Sequence, residues 1–105
     1  MAELIKIRAR LTGEITEIRA LMSHPMETGR RKNELGEVVP AHFIQQVLVT
    51  LNGNAVLEAQ WGTGISKNPY LTFRLRGAKL GDKVSLSWRD SKGASNSVET
   101  EVVSA

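Results

Sequence analysis

The sequence predicts an all-β domain, a β-sandwich of about seven short strands, and two observations carry that prediction. Apolar and polar residues alternate with period two along most of the 105 residues, which is typical of strands that bury one face. Turn signals rich in glycine, asparagine or proline recur between these segments, as they do in sandwiches. No segment has a helical period and no linker or repeat divides the chain, so we predict one domain over residues 1–105.

The first two strands form a predicted hairpin. Apolar residues alternate with basic ones from Ile5 to Leu11, and alternation resumes from Thr16 to Met22 after a turn at residues 13–14. We expect Pro25 to stop the second strand, because proline cannot donate a hydrogen bond to a ladder.

A second hairpin is predicted around Asn52 and Gly53. Asn-Gly is the strongest two-residue hairpin signal, since both positions tolerate positive φ. A strand should enter this turn from His42 and leave it toward Trp61, and a short edge strand at residues 38–39 would precede it. Three more strands follow, over residues 71–75, 84–88 and about 98–103. The predicted core includes Phe43, Val47, Val49, Trp61, Phe73, Leu86 and Trp88.

Composition excludes several classes of function. The net charge of +3 is mild, and only residues 30–32 form a basic run, which is typical of a solvated turn; we expect no nucleic-acid partner. The absence of cysteine excludes disulfides, thiolate metal sites and a thiol nucleophile. No apolar run approaches the ~20 residues that span a membrane, and the N-terminus lacks the apolar region of a signal peptide.

Met22, His24, Met26 and His42 carry the side chains best suited to a metal. Thioether and imidazole groups select Cu(I), and alternate strand residues share one face. We nevertheless favour a structural interpretation, in which Met22 ends a core strand and His24 is a hydrogen-bonding loop residue. No metal or cofactor is therefore predicted, and a periplasmic Cu(I)-binding module is the alternative.

No catalytic residue is predicted. Ser23 and His24 are neighbours and should point to opposite faces, and Glu27 and Glu34 are expected to be solvated loop carboxylates. Two interpretations of the methionine, histidine and aromatic groups on this long loop are equally favoured. Either they form a partner-docking surface, or each packs beneath its own loop.

Three motifs resemble the SoxZ family and together cover nearly the whole chain. They are LMSHPMETGRRKNELGEVVPAHFI at residues 21–44, KNPYL at 67–71 and GDKVSLSWRDSKG at 81–93. The resemblance implies an immunoglobulin-like sandwich and a non-catalytic subunit of the SoxYZ sulfur carrier of thiosulfate oxidation. It also implies a heterodimer with SoxY, whose flexible C-terminal arm bears the sulfur on a cysteine, and transient contacts with other Sox enzymes.

The resemblance favours the docking interpretation. We place the candidate interface residues on the segments that carry the motifs. The predicted partner interface comprises Met22, His24, Met26, Glu27, His42, Phe43 and Tyr70. Met26 is expected to lie outside the core, so that its substitution would affect pairing and spare the isolated fold. The implied location is the periplasm, which a chain without its own signal peptide would reach bound to a signal-bearing partner.

Overall fold

A computed structural model describes residues 5–105 and shows eight β-strands with no helix among them. The strands are β1 (Ile5–Thr12), β2 (Ile15–Met22), β3 (Ile44–Leu51), β4 (Asn54–Gln60), β5 (Tyr70–Arg76), β6 (Lys83–Asp90), β7 (Ser95–Glu101) and β8 (Val103–Ser104). They form two four-stranded sheets, ordered β5-β2-β1-β8 and β4-β3-β6-β7. The predicted all-β sandwich is confirmed. Residues 1–4, on which the expectation about a signal peptide partly rests, lie outside the described residues.

Both predicted hairpins are present. β1 and β2 pair in unbroken antiparallel register from Ile5 opposite Met22 to Thr12 opposite Ile15. At the β3–β4 turn Asn52 and Gly53 both have positive φ, at 50° and 86°, which is the backbone that the Asn-Gly pair favours. The predicted edge strand at residues 38–39 is reduced to one isolated bridge between Lys32 and Val38.

The core lies between the sheets and differs from the prediction at a few positions. Val47, Val49, Leu86 and Trp88 are buried as expected, whereas Phe43, Trp61 and Phe73 are only partly buried and pack against the core from its margin. Ile44 is fully buried although strict alternation placed Phe43 on the inner face. The cause is a register shift between Ile44 and Gln46, since one extra residue in a strand reverses the faces beyond it.

The molecule is elongated along the strand direction. Its extents are 54 × 23 × 22 Å, and its radius of gyration is 15.7 Å, against ~13 Å expected for a compact domain of this length. An eight-residue strand spans only ~27 Å, so turns and loops extend the long axis. The residues between β2 and β3 lie at one end of the sandwich, beside the end of β6, and this end holds the motif segments. No helix within residues 5–105 could cross a membrane.

Candidate functional site: a histidine–aspartate cluster

Three strand ends converge on a cluster formed by His24, His42 and Asp90. Asp90 is the last residue of β6. It lies on the inner face of the strand, as do Val84, Leu86 and Trp88. His24 follows the end of β2 by two residues, and His42 precedes β3 by two residues. The loop that carries His24 is tied to the chain before β3 by backbone hydrogen bonds between Glu27 and His42, with N···O distances of 2.7 and 2.9 Å. This pairing brings the two histidines to the same carboxylate.

Both imidazole rings contact one oxygen of Asp90. The His24 Nε2 lies 3.0 Å and the His42 Nε2 2.7 Å from Asp90 Oδ2, and the ring centroids are 4.6 Å apart in an edge-on arrangement. An ionised carboxylate can only accept hydrogen bonds, so each Nε2 carries a proton and donates it. His24 and Asp90 are buried, whereas the His42 side chain is 26% exposed.

The other nitrogen of His24 fixes its tautomer. The backbone N–H of Met26 donates to His24 Nδ1 at 3.0 Å, which leaves the ring with one acceptor and one donor. These hydrogen bonds place the ring proton of His24 on Nε2, where it faces Asp90. Met26 reaches this position with φ of 48°, a left-handed conformation that is uncommon outside glycine. The strained backbone and the ring hold each other in place.

The second oxygen of Asp90 organises the turn between β6 and β7. Asp90 Oδ1 accepts the backbone N–H groups of Lys92 at 3.0 Å and Ala94 at 2.9 Å. Burial tends to raise the pKa of Asp90, and the hydrogen bonds from His24, His42 and these two amides outweigh it, so the pKa falls from 3.8 to about 2. The carboxylate is thus ionised at neutral pH with four donors around it.

Apolar and aromatic side chains fill the space around the cluster. The edge of His24 meets Trp88 at a centroid separation of 5.2 Å. The sulfur of Met26 accepts the backbone N–H of Ile44 at 3.2 Å, and Met26 and Met22 both belong to the buried core. The arrangement can fix three strand ends relative to one another.

His24, His42 and Asp90 also form a group whose ligand-type atoms lie within 4.8 Å of one another, close enough to share a metal ion. The hydrogen bonds oppose that use. A metal at His24 Nε2 would need an unprotonated nitrogen there and a proton on Nδ1, where the Met26 N–H already points. The sulfur of Met26 is likewise engaged by Ile44. The geometry therefore favours a structural hydrogen-bond network over the Cu(I) site.

The structure divides the seven predicted interface residues by depth. Met22, His24 and Met26 are buried, Glu27, His42 and Phe43 are partly exposed, and Tyr70 is 59% exposed. The expectation that Met26 lies outside the core is wrong, because its positive φ turns the side chain inward after Pro25. The structure contains no partner, so the interface itself stays a prediction.

Sequence reasoning missed two features at this end of the sandwich. Period two from Val84 to Trp88 already places Asp90 on the inner face, and a buried carboxylate needs donors. The second is the exposure of Leu35 and Val38, at 82% and 57%, on the hairpin over residues 31–39. The sequence predicts a loop or an irregular hairpin over residues 27–37, and the hairpin is present. Only the low polarity of these two residues within a charged loop could have indicated their exposure.

The fold and the cluster define a small β-sandwich in which a histidine–aspartate centre joins three strand ends. A profile of the family described as "Sulphur oxidation protein SoxZ" matches residues 5–101. The chain belongs to the SoxZ family and so takes part in the Sox sulfur oxidation system. No curated protein matches the chain closely.

Asp90→Asn should lower the free energy of unfolding by about 2–3 kcal/mol, measured by urea denaturation at pH 7. An amide offers one oxygen and one NH₂ group. In either orientation of the amide, its NH₂ group, itself a donor, faces two other donors. These are the two imidazole N–H groups in one orientation and the two backbone N–H groups in the other. Asp82→Asn is the matched control, since Asp82 is less buried and accepts one backbone amide from Lys79; we expect a loss below ~1 kcal/mol.

The same pair of variants tests the ionisation of Asp90. Because its folded pKa of about 2 lies below the ordinary 3.8, its contribution of about 2 kcal/mol is complete above pH ~4 and is lost as the pH falls toward 2. Asp90→Asn should therefore flatten the dependence of stability on pH over that interval. Equal stability of Asp90→Asn and the parent at pH 7 would contradict the network.

Met26→Asp should destabilise the isolated chain by more than ~3 kcal/mol, because it places a charge in the core. Leu35→Asp introduces the same group at an exposed position and should change stability by less than ~0.5 kcal/mol. Thermal unfolding of both variants followed by circular dichroism makes the comparison. If Met26→Asp folds as stably as Leu35→Asp, the buried position assigned to Met26 is wrong.

Proposed function

We propose that this chain is the non-catalytic subunit of a heterodimeric sulfur carrier and pairs with SoxY, whose arm cysteine bears the sulfur. The observation that carries the proposal is the absence of any cysteine from a member of a sulfur oxidation family. Covalent sulfur carriage uses a thiolate, so none of these 105 residues can hold the sulfur as a thiol adduct. A partner must supply that group.

The histidine–aspartate cluster supports a presenting role. Both oxygens of Asp90 and both nitrogens of His24 are engaged in hydrogen bonds. Such a network specifies one arrangement of the loops around it, since each broken bond would leave a buried polar group unpaired. It makes the sandwich end a rigid base for the surface above it.

The partner surface we propose lies on this end of the sandwich. Its sequence-predicted members with exposed atoms are Glu27, His42, Phe43 and Tyr70. Met22, His24 and Met26 lie beneath and position it, so they act on pairing indirectly. Leu21 lies directly opposite Tyr70 across β2 and β5 and is 41% exposed, which adds apolar area to this end.

The hairpin over residues 31–39 extends the proposed surface. Asn33 shapes its turn: its side-chain oxygen accepts the backbone N–H groups of Leu35 at 2.9 Å and Glu37 at 3.0 Å. At the base, Arg31 forms an ion pair with Glu27 at 2.8 Å, and its hydrogen bond lowers the pKa of that carboxyl. An ordered hairpin that exposes Leu35 offers an apolar anchor that another protein can desolvate.

We further propose that the chain acts in the periplasm and is exported in complex with a partner that carries the export signal. The pathway that the family resemblance implies is periplasmic, and an obligate heterodimer gives the chain a carrier. Export of a preformed complex requires a route for folded cargo.

Leu35→Asp should weaken pairing with SoxY by at least ~tenfold, or about 1.4 kcal/mol, because it puts a charge where an apolar anchor is desolvated. Isothermal titration calorimetry with purified SoxY measures the change. Leu80→Asp is the matched control: Leu80 is 61% exposed in the turn between β5 and β6, at the opposite end. Unchanged affinity in Leu35→Asp would remove the hairpin from the interface, and failure of the parent chain to bind SoxY would overturn the proposed function.

Cell fractionation tests the proposed location. Expressed alone, the chain should remain in the cytoplasmic fraction, and coexpression with signal-bearing SoxY should move it to the periplasm. Deleting the partner's signal should return the chain to the cytoplasm. Periplasmic recovery of the chain expressed alone would contradict export in complex.

A further inference from the structure

The outer face of the sheet β5-β2-β1 concentrates positive charge. Alternation directs every second side chain of these three strands to solvent, away from the core. Six of the outward side chains are basic and one is acidic, Glu17. The exposed basic residues, which we call the basic face, are Lys6, Arg8, Arg10, Arg19, Arg74 and Arg76.

The opposite sheet has a different charge. The outer faces of β3, β4, β6 and β7 carry Lys83 and Arg89 together with Glu58, Glu99 and Glu101. This side is thus slightly acidic, and Lys83 is already paired with Glu101. The net charge of +3 therefore describes neither side, because the positive charge is segregated onto one sheet.

The register of the basic face leaves one like-charged pair, although Glu17 lies directly opposite both Arg10 on β1 and Arg74 on β5. Arg8 lies directly opposite Arg19 on the paired strand, and like charges at opposed positions destabilise a sheet. Glu17 offsets part of the charge: it is paired with Arg19 and lies 3.6 Å from the Arg74 guanidinium. Within residues 5–105 no carboxylate side chain forms an ion pair with Arg8 or Arg10. These two arginines and Arg19 line a depression of about 290 Å³, which Thr12, Glu17 and Ala105 complete.

We propose that the basic face is a docking surface for an acidic surface patch of a partner protein that binds transiently. Clustered guanidinium groups attract carboxylates over distance and bind them in bidentate geometry. The like-charge pair that is unfavourable in the free chain becomes favourable when carboxylates lie over it.

Three properties of the basic face fit a transient protein partner. The centres of permanent interfaces are depleted in charged residues, and this face has charges along all three strands. Three strands of seven or eight residues give a footprint of only ~15 × 25 Å, well below the ~800 Å² that each partner buries in a stable interface. Single-stranded nucleic acid would need stacking platforms, and Tyr70, at one end of the face, is its one aromatic residue.

This inference goes beyond the proposed function and rests on different residues. The proposed SoxY surface lies at one end of the sandwich and the basic face lies along a sheet. The two surfaces adjoin at Leu21 and Tyr70, which lie on the same outer face as Lys6 and Arg19. Loss of pairing with SoxY would leave the basic face untouched, and loss of acidic binding would leave the heterodimer untouched.

The test uses a fluorescent oligoglutamate peptide of about 10 residues, long enough to follow one strand. Fluorescence anisotropy gives its affinity for the chain alone and for the chain in complex with SoxY. Titrations are made at about 10 mM salt, where the Debye length is about 30 Å, and at about 150 mM salt, where it is about 8 Å. We expect binding in both forms of the protein, and weakening by at least ~tenfold at the higher salt concentration.

Arg8→Glu is the diagnostic variant. It replaces the like-charged pair with an attractive Glu–Arg19 pair, so the fold should become slightly more stable while oligoglutamate binding falls by at least ~fivefold. Arg89→Glu is the matched control, an exposed arginine on the outer face of the other sheet with the same change in net charge. It should retain parental affinity.

Three results would overturn the proposal. Equal losses in Arg8→Glu and Arg89→Glu would mean that net charge alone attracts the peptide. Tighter binding of duplex DNA than of oligoglutamate at the same salt concentration would assign the face to nucleic acid. Disappearance of peptide binding in the SoxY complex would show that the face belongs to the permanent interface.

Discussion

The ionised carboxylate of Asp90 is the constraint on which one end of this sandwich depends. A buried carboxylate is costly unless donors surround it, and the four donors here come from three separate parts of the chain. His24 is 66 residues away from Asp90 in sequence. One side chain therefore ties the loop after β2, the chain before β3 and the turn after β6 into a single unit.

The same network connects folding to the surface that a partner would meet. Because His24 Nδ1 accepts the Met26 amide, the ring, the left-handed backbone at Met26 and the carboxylate cannot be changed independently. Polar networks of this kind add little net stability per bond and exclude alternative loop arrangements. The proposed role, in which the chain presents a surface to a partner, would gain from that selectivity.

The sequence predicted those parts of the fold that local chemistry controls. Asn52-Gly53 encodes its turn through backbone tolerance of positive φ, and alternation encodes the inner faces of β1, β2 and β6. Ile44 could not be placed, because the register shift beside it depends on pairing with β6. Met26 was misplaced for a related reason: its amide donates to His24, and the His24 ring is held by Asp90, which is 66 residues away in sequence. The alternation along β6 could have placed Asp90 on the inner face. Asp90 was missed because its hydrogen-bond partners are remote in sequence.

Net charge shows how a whole-chain average can hide a local property. A value of +3 predicts weak steering, yet three adjacent strands collect six of the basic side chains on one surface. Sequence shows the alternation within each strand, whereas only the pairing of β1 with β2 reveals that Arg8 opposes Arg19. A fold selected for stability alone has no reason to keep that repulsion, since a single acidic residue at either position would relieve it. The Arg8–Arg19 pair, which Glu17 offsets only in part, is the physical argument for the proposed binding role of the face.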